Sequence, residues 1–270
     1  MRERARGGKE QSMAESLQGA IALVTGAAGG IGRAVCKELT AQGAIVIASD
    51  LAQTAEVEAA AYVQQDVTDE ARWHAIAADI KARHGRLDCL VNNAGYSIVE
   101  SIESTSIETW RKVQAINVES ILFSLHAFTP LLRIGGAERK GGASVVNLSS
   151  VGGLRGAAYN AAYCAAKGAV TLFSKSAAVE YGSLRWPIRV NSVHPGGVDT
   201  DMTSGIMSRF AELGAQRDAE AARKSLLAAI PARRLAGPEE IAAGIAFLCS
   251  TASSFMTGSE FVIDGGYTAR

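Results

Sequence analysis

Tyr163 and Lys167 stand four residues apart within the Ala-rich run Tyr159 to Tyr181, which reads as a helix. On a helix that spacing places both side chains on one face. A phenol titrates near about 10, too high for a base at neutral pH. A neighbouring ammonium stabilises the phenolate and lowers that value toward the range where general acid–base catalysis is efficient. The spacing alone is common by chance; it gains meaning from a second feature far upstream. Thr25 to Gly32 reads TGAAGGIG and falls between an apolar run and a helix. Gly26 can take a tight turn without a Cβ clash. Gly30, Ile31 and Gly32 sit where backbone N–H groups at a helix start can receive a pyrophosphate. After the first strand of a strand–helix–strand unit, such a turn is a dinucleotide-binding feature. Asp50, with Leu51 beside it, follows 18 residues after Gly32 at the end of the next strand. Its carboxylate can accept hydrogen bonds from the adenosine ribose hydroxyls and would repel the 2′-phosphate of NADP. No Arg or Lys lies within Gly26 to Gly32, so NAD is the expected cofactor.

These groups must be positioned by the elements between them. Strands are expected over Ala20 to Thr25, Ala44 to Ser49, Ala61 to Asp66, Leu87 to Asn92, Ala143 to Leu148, Ile188 to Val193 and Phe261 to Ile263. Helices are expected over Ile31 to Gln42, Asp69 to His84, Ile107 to Ile134, Tyr159 to Tyr181 and Pro238 to Cys249, the last opened by proline. Ten residues, Leu51 to Ala60, separate the second and third strands, so the helix between them should be short or absent. Gly135 to Gly142 reads as a surface excursion between helix and strand, and Ser204 to Pro231 as helices over the carboxyl edge of the sheet. Strand–helix alternation predicts an α/β fold with a doubly wound parallel sheet and helices on both faces. Ligands of such sheets bind beyond the carboxyl ends of the strands.

The composition narrows the function classes. Of 270 residues, 48% are hydrophobic and 20% charged, which excludes wholesale disorder. Lys plus Arg and Asp plus Glu both number 27, and aromatic residues make up only 6%. Neither a basic surplus nor a base-stacking platform is present, so no nucleic-acid partner is expected. No apolar run approaches the roughly 20 residues of a membrane helix, and no membrane association is expected. Residues 1–17 read as a disordered extension; Glu3, Glu10 and Glu15 among its arginines argue against a transit peptide, and Met13 could be the biological start. Residues 18–270 then form one domain. Cys36, Cys89, Cys164 and Cys249 show no paired spacing. They read as core thiols of a cytoplasmic protein rather than zinc ligands or disulfides. His74, His84, His126 and His194 have no metal-ligand spacing, and no metal is expected.

From about Gln18 to Thr268 the chain resembles the classical short-chain dehydrogenase/reductase family. The ordered matches are Thr25 to Gly32, Asp66-Val67, Asn92-Asn93-Ala94-Gly95, Asn117, Val146 to Ser150, Tyr163 to Lys167, Arg189 to Ser192, and Pro195-Gly196. The resemblance implies a single Rossmann-type domain of about seven strands, with the NAD site in its N-terminal half and a substrate lid around 201–231. It implies Tyr163 as proton donor and acceptor, and Lys167 as the group that lowers the tyrosine pKa and holds the nicotinamide ribose. The family's serine lies thirteen residues before its tyrosine, which selects Ser150 over Ser149 to stabilise charge on the substrate oxygen. Asn117 would anchor a water that relays protons to the lysine. Asp66 and Val67 would contact adenine, Asn93, Ala94 and Gly95 would line the adenosine side, and Pro195, Gly196, Val198 and Thr200 would carry the carboxamide loop.

The implied reaction is hydride transfer between NAD and a secondary alcohol or ketone. Met202 and Met207 in the lid and Tyr159 opposite are the candidate substrate walls. The stretch from Trp186 to Met202 broadly resembles hydroxysteroid and cyclic-alcohol dehydrogenases of the family. Two alternatives remain: a 3-oxoacyl-[acyl-carrier-protein] reductase, usually with NADPH, and a non-catalytic NAD-sensing regulator. The family also implies a homotetramer pairing the helices around Ile107 to Leu132 and Tyr159 to Tyr181, with Phe261 to Tyr267 at a second interface.

Overall fold

Seven short apolar runs pair into one parallel sheet in the computed structural model, which describes residues 17–269. The strands are β1 (Ile21–Thr25), β2 (Ile45–Asp50), β3 (Ala61–Gln64), β4 (Cys89–Asn92), β5 (Ala143–Leu148), β6 (Ile188–Pro195) and β7 (Glu260–Ile263). Their order is β3-β2-β1-β4-β5-β6-β7, so the chain reverses its winding between β1 and β4. That reversal opens a crevice at the carboxyl edge, where ligands of such sheets bind. Every residue of β1, β4, β5 and β6 is buried, as a parallel sheet covered on both faces requires.

The period-2 alternation of a strand divides the core in two. Ala22 and Val24 pack with α1 (Gly30–Ala41) and α8 (Pro238–Cys249) on one face. Ile21 and Leu23 pack on the other with α2 (Glu70–His84), α4 (Ser120–Glu138) and α5 (Ala161–Ser183). Trp73 of α2 anchors this second layer, its ring edge-on to Phe128 and its indole N–H donating to the Val67 carbonyl at 2.9 Å. Leu17, assigned from sequence to the N-terminal extension, is buried in the first layer; the rest of that extension lies outside the described residues. No helix forms between β2 and β3, in accord with the short spacing.

Two features of the long helical run differ from expectation. It opens as α3 (Ile107–Gln114), passes through a π-helical turn at Ala115–Glu119 and continues as α4 to Glu138. It is therefore long and apolar enough to cross a membrane, contrary to the sequence reading, but half of its apolar stretch is buried inside the protein. The expected surface excursion over Gly135 to Gly142 also shrinks to residues 139–142, because Gly135 and Gly136 are buried helical positions. A Cβ on Gly135 would overlap the Leu87 carbonyl oxygen, and one on Gly136 the Pro187 carbonyl oxygen. The glycines let the helix approach the sheet backbone rather than end the helix.

Gly136→Ala should accordingly lower the unfolding free energy by about 2 kcal/mol. Gly182→Ala, at an open helical position with nothing near the new methyl, should raise it by up to about 1 kcal/mol. Urea unfolding of the two variants checks the contrast.

Candidate active site

The turn after β1 is built by backbone proximity. Gly26 has φ +63°, and a Cβ there would lie 2.8 Å from the Ala94 Cα. Gly32 could carry no Cβ without overlapping the Gly26 carbonyl, and a Cβ on Gly30 would meet the Thr200 methyl at 2.8 Å. The loop after β4 braces the turn: Asn93 Nδ2 donates to the carbonyls of Thr25 at 2.9 Å and Gly26 at 3.0 Å. Thr25 Oγ1 accepts from the N–H groups of Asn93 at 3.1 Å and Ala94 at 3.0 Å. Gly29 caps α1 without any side-chain acceptor, so donors at the helix start stay available to an anion. Asp50 closes the far side; its Oδ2 accepts from Ala28 N at 2.9 Å and its Oδ1 from Ala52 N at 3.2 Å.

A cavity of about 350 Å³ runs from this turn across the carboxyl edge of the sheet. Gly26, Gly30, Ile31, Gly32, Asn93, Ala94, Gly95, Ser150, Tyr163, Lys167, Pro195, Gly196, Val198, Thr200, Met202 and Met207 all line it. The cradle left by the missing Cβ atoms and the uncapped helix start fit a dinucleotide. Asp50, Leu51, Asp66, Val67, Asn117 and Tyr159 are not among the lining residues. Asp66 is exposed and accepts from Thr68 N and Oγ1, while Val67 is buried beside Trp73.

On the opposite side of the crevice, α5 presents Tyr163 and Lys167 one helical turn apart. Tyr163 and Ser150 both line the cavity on either side of Gly152, where a Cβ would lie 3.5 Å from Ser150 Oγ and 3.5 Å from Tyr163 Cε1. Ser149 turns away, donating to the Lys167 carbonyl at 2.8 Å and sharing a hydrogen bond with Thr171 at 2.9 Å. Lys167 is buried; its Nζ donates to the Leu148 carbonyl at 2.7 Å and lies 5.7 Å from the centre of the Tyr163 ring. Gly95 makes room for it, since a Cβ there would sit 3.4 Å from Lys167 Nζ and 3.1 Å from Asn117 Oδ1. Asn117 lies in the π-helical turn, with both amide hydrogens committed to the carbonyls of Tyr96 at 2.8 Å and Val113 at 2.9 Å.

Burial sets the electrostatics of the protein alone. Burial raises the Tyr163 phenol above its ordinary value, outweighing the lowering effect of the nearby Ser150 hydroxyl. Burial also pulls Lys167 down from 10.5 to about 8. In the protein alone, desolvation is the largest influence on both groups. The substrate side differs from expectation. Tyr159, expected as a wall, is exposed with φ +62°, and its ring packs edge-on against Phe210 at 6.1 Å. It braces the rim of the lid formed by α6 (Asp201–Glu212) and α7 (Ala219–Ala229).

Several residues of the site carried no local sequence signal. Leu226 of α7 and Tyr267 beyond β7 line the cavity. His194 is fully buried behind Ser150, with Nδ1 3.1 Å from the Ser150 carbonyl and Nε2 2.8 Å from Ser192 Oγ. Burial lowers its pKa, so it stands as a neutral imidazole fixing the serine's main chain.

Fold and geometry together define a dinucleotide-binding α/β oxidoreductase framework, and comparison with known proteins makes the family specific. The family profile described as "Enoyl-(Acyl carrier protein) reductase" matches residues 26–268. Cyclopentanol dehydrogenase of Comamonas sp. (strain NCIMB 9872) is 39% identical over 260 residues, covering 93% of this chain and 97% of the relative. The NADP-dependent (R)-specific alcohol dehydrogenase of Lentilactobacillus kefiri is 35% identical, covering 96% of this chain and all of the relative. The ligand-free aldohexose dehydrogenase of Thermoplasma acidophilum superposes with a TM-score of 0.83 at 29% identity, covering 95% of this chain and 96% of that one. The chain belongs to the short-chain dehydrogenase/reductase family.

The depressed lysine predicts a pH signature. The unfolded chain holds the Lys167 proton more tightly than the folded one, so this group's contribution to stability grows as pH rises from about 8 to 10.5. Lys167→Met removes that dependence. The stability of the variant relative to the parent should fall by about 3 kcal/mol between roughly pH 7 and pH 10.5. Urea melts at both pH values measure it; parallel pH dependences would show that the ammonium is solvated.

Proposed function

We propose that the chain is an NAD-dependent oxidoreductase that interconverts a secondary alcohol and its ketone, on an uncharged, apolar, cyclic substrate. The observation that carries this reading is the convergence of Ser150, Tyr163 and the buried Lys167 in one cavity with the glycine turn. A bound nicotinamide would supply the hydride acceptor. Gly26, Gly30 and Gly32 would hold its pyrophosphate, and Asp50 the adenosine ribose. Tyr163, as phenolate, takes the proton of the substrate hydroxyl. Ser150 donates to the same oxygen and steadies the charge that develops on it. Lys167 and Tyr163 titrate as a pair: phenolate formation favours the ammonium, and the ammonium favours the phenolate. Asn117 has its side chain committed, which leaves the main chain of the π-helical turn to hold a relay water beside Lys167.

Two details support NAD. The Asp50 carboxylate stands beside the turn, where a 2′-phosphate would meet its charge. Arg33, one residue past the turn, has its guanidinium engaged with the carbonyls of Ala28 and Glu56. Substrate polarity follows from the lining: Lys167 and Asp201 are its charged side chains, while Met202, Ile206, Met207 and Leu226 are apolar. No cation is spare for a carboxylate or phosphate. The ring substrate named for the Comamonas relative agrees with this reading. Exposed Leu122 and Ile134 on α4 and Leu172 and Val179 on α5 support homotetramer formation through those helices. The four free thiols suit a reducing, cytoplasmic setting.

The test is NADH absorbance with cyclic and acyclic secondary alcohols, steroids included, and with an acetoacetyl thioester plus NADPH as the rival arm. Cyclopentanol or cyclohexanol should be oxidised; preferential thioester reduction would transfer the assignment to acyl-carrier chemistry. Tyr163→Phe should cut kcat by about 10³-fold or more with NAD affinity retained. The kcat/KM with NAD should exceed that with NADP by about 100-fold, and Asp50→Ser should narrow the ratio to within about tenfold.

A further inference from the structure

The segment after β7 is built into the substrate side of the cavity. Asp264 shapes it: its Oδ1 accepts from Gly266 N at 2.8 Å, and its Oδ2 from Thr268 N at 2.7 Å and Thr268 Oγ1 at 2.6 Å. Gly265 and Gly266 both take positive φ, +62° and +87°, and turn the chain back toward the lid. There they press on Ile230, Ala232 and Pro231 at the end of α7; a Cβ on Gly265 would lie 2.9 Å from Ile230, and one on Gly266 3.0 Å from Pro231. The Ala232 N–H donates to the Gly265 carbonyl at 3.1 Å. Tyr267, the next residue, lines the cavity together with Met207 and Leu226.

A second contact fixes Tyr267 from the opposite wall. Arg155 lies in the loop between Ser150 and α5. Its guanidinium sits 4.9 Å from the centre of the Tyr267 ring, and its Nη1 donates to the Tyr267 carbonyl at 3.1 Å. One side chain of the serine loop therefore holds an aromatic ring by both its face and its main chain. That is a fixed wall, unlike the methionines of α6, whose flexible side chains adapt to what they touch.

We infer that Tyr267 is a specificity-determining residue: clamped by Arg155, its ring forms a rigid flat wall that selects saturated ring substrates over branched or open-chain ones. The inference rests on the proposed alcohol dehydrogenase reading and specifies its substrate class. A flat rigid surface loses nothing on meeting a preorganised ring but cannot follow the torsional freedom of an open chain. Arg155 is a positioning residue, acting through Tyr267 and not on the reacting atoms.

The test compares cyclohexanol with 2-butanol in two ways: NAD-dependent turnover, and binding to the NADH-loaded protein read from NADH emission. In Tyr267→Ala the preference for cyclohexanol over 2-butanol should fall about tenfold or more in both readouts. Tyr267→Phe keeps the wall and should keep the preference. Arg155→Ala should raise KM for cyclohexanol with kcat intact, and Arg155→Lys should restore part of the loss. Turnover with an unchanged preference in Tyr267→Ala would overturn this inference and leave the dehydrogenase reading standing. Tyr267-dependent binding without turnover would overturn the dehydrogenase reading and leave the wall. If neither alcohol binds or reacts, both fall.

Discussion

Lys167 carries a charge on a side chain that is almost wholly buried at the cavity wall, and the rest of the site is arranged around that cost. Burial alone depresses the ammonium to about 8. What holds it there is a carbonyl, Leu148 O, presented at 2.7 Å by the carboxyl end of β5, together with the absence of a side chain at Gly95. An isolated buried ammonium would sooner lose its proton or draw in water. The protein keeps the group because the two core layers fix β5, α5 and the loop after β4 relative to one another. Stability supplied by the sheet is thus spent on an unfavourable ionisation where the chemistry needs it.

The same constraint explains why Tyr163 is not activated in the protein alone. Removing a phenol from water raises its pKa, and the nearby Ser150 hydroxyl offsets only part of that rise. The two shifts oppose the ionised state of both partners and move the groups apart, so in the protein alone the phenol keeps its proton. Behind Ser150, the neutral His194 imidazole and Ser192 hold the strand end through hydrogen bonds that need no charge. The serine's placement is therefore independent of the titration of the pair that it serves.

What sequence could and could not disclose follows from where each signal resides. The glycine turn, Asp50 and the Tyr163–Lys167 pair are local patterns on single elements, and they occupy the expected elements in space. Asn93 was legible as a residue of the site, but its role as a brace of the turn required the pairing of β4 with β1. Gly135 and Gly136 misled because a loop and a close helix–sheet approach demand the same residue type. The burial that raises the Tyr163 phenol has no sequence signature, because adjacency of a cation is visible in sequence whereas the degree of burial is not. Tyr159 failed as a wall for a related reason: its left-handed backbone aims it at Phe210, and a positive φ on a non-glycine residue has no sequence signature.

The asymmetry between the two halves of the cavity has a physical origin. The cofactor half of the proposed site is built from main chain at the carboxyl ends of β1, β4 and β6, which the hydrogen-bond ladder of the sheet locks in register. The substrate half has no such ladder. It is assembled from side chains of α6, α7, the serine loop and the segment after β7, which meet only after the chain has folded. Arg155 and Tyr267 are 112 residues apart and still in contact. A wall made this way can change shape by one substitution without disturbing the glycine turn, because no strand register depends on it. The shape of this half can consequently drift while the glycine turn stays fixed, and its determinants must be sought in long-range contacts rather than in motifs.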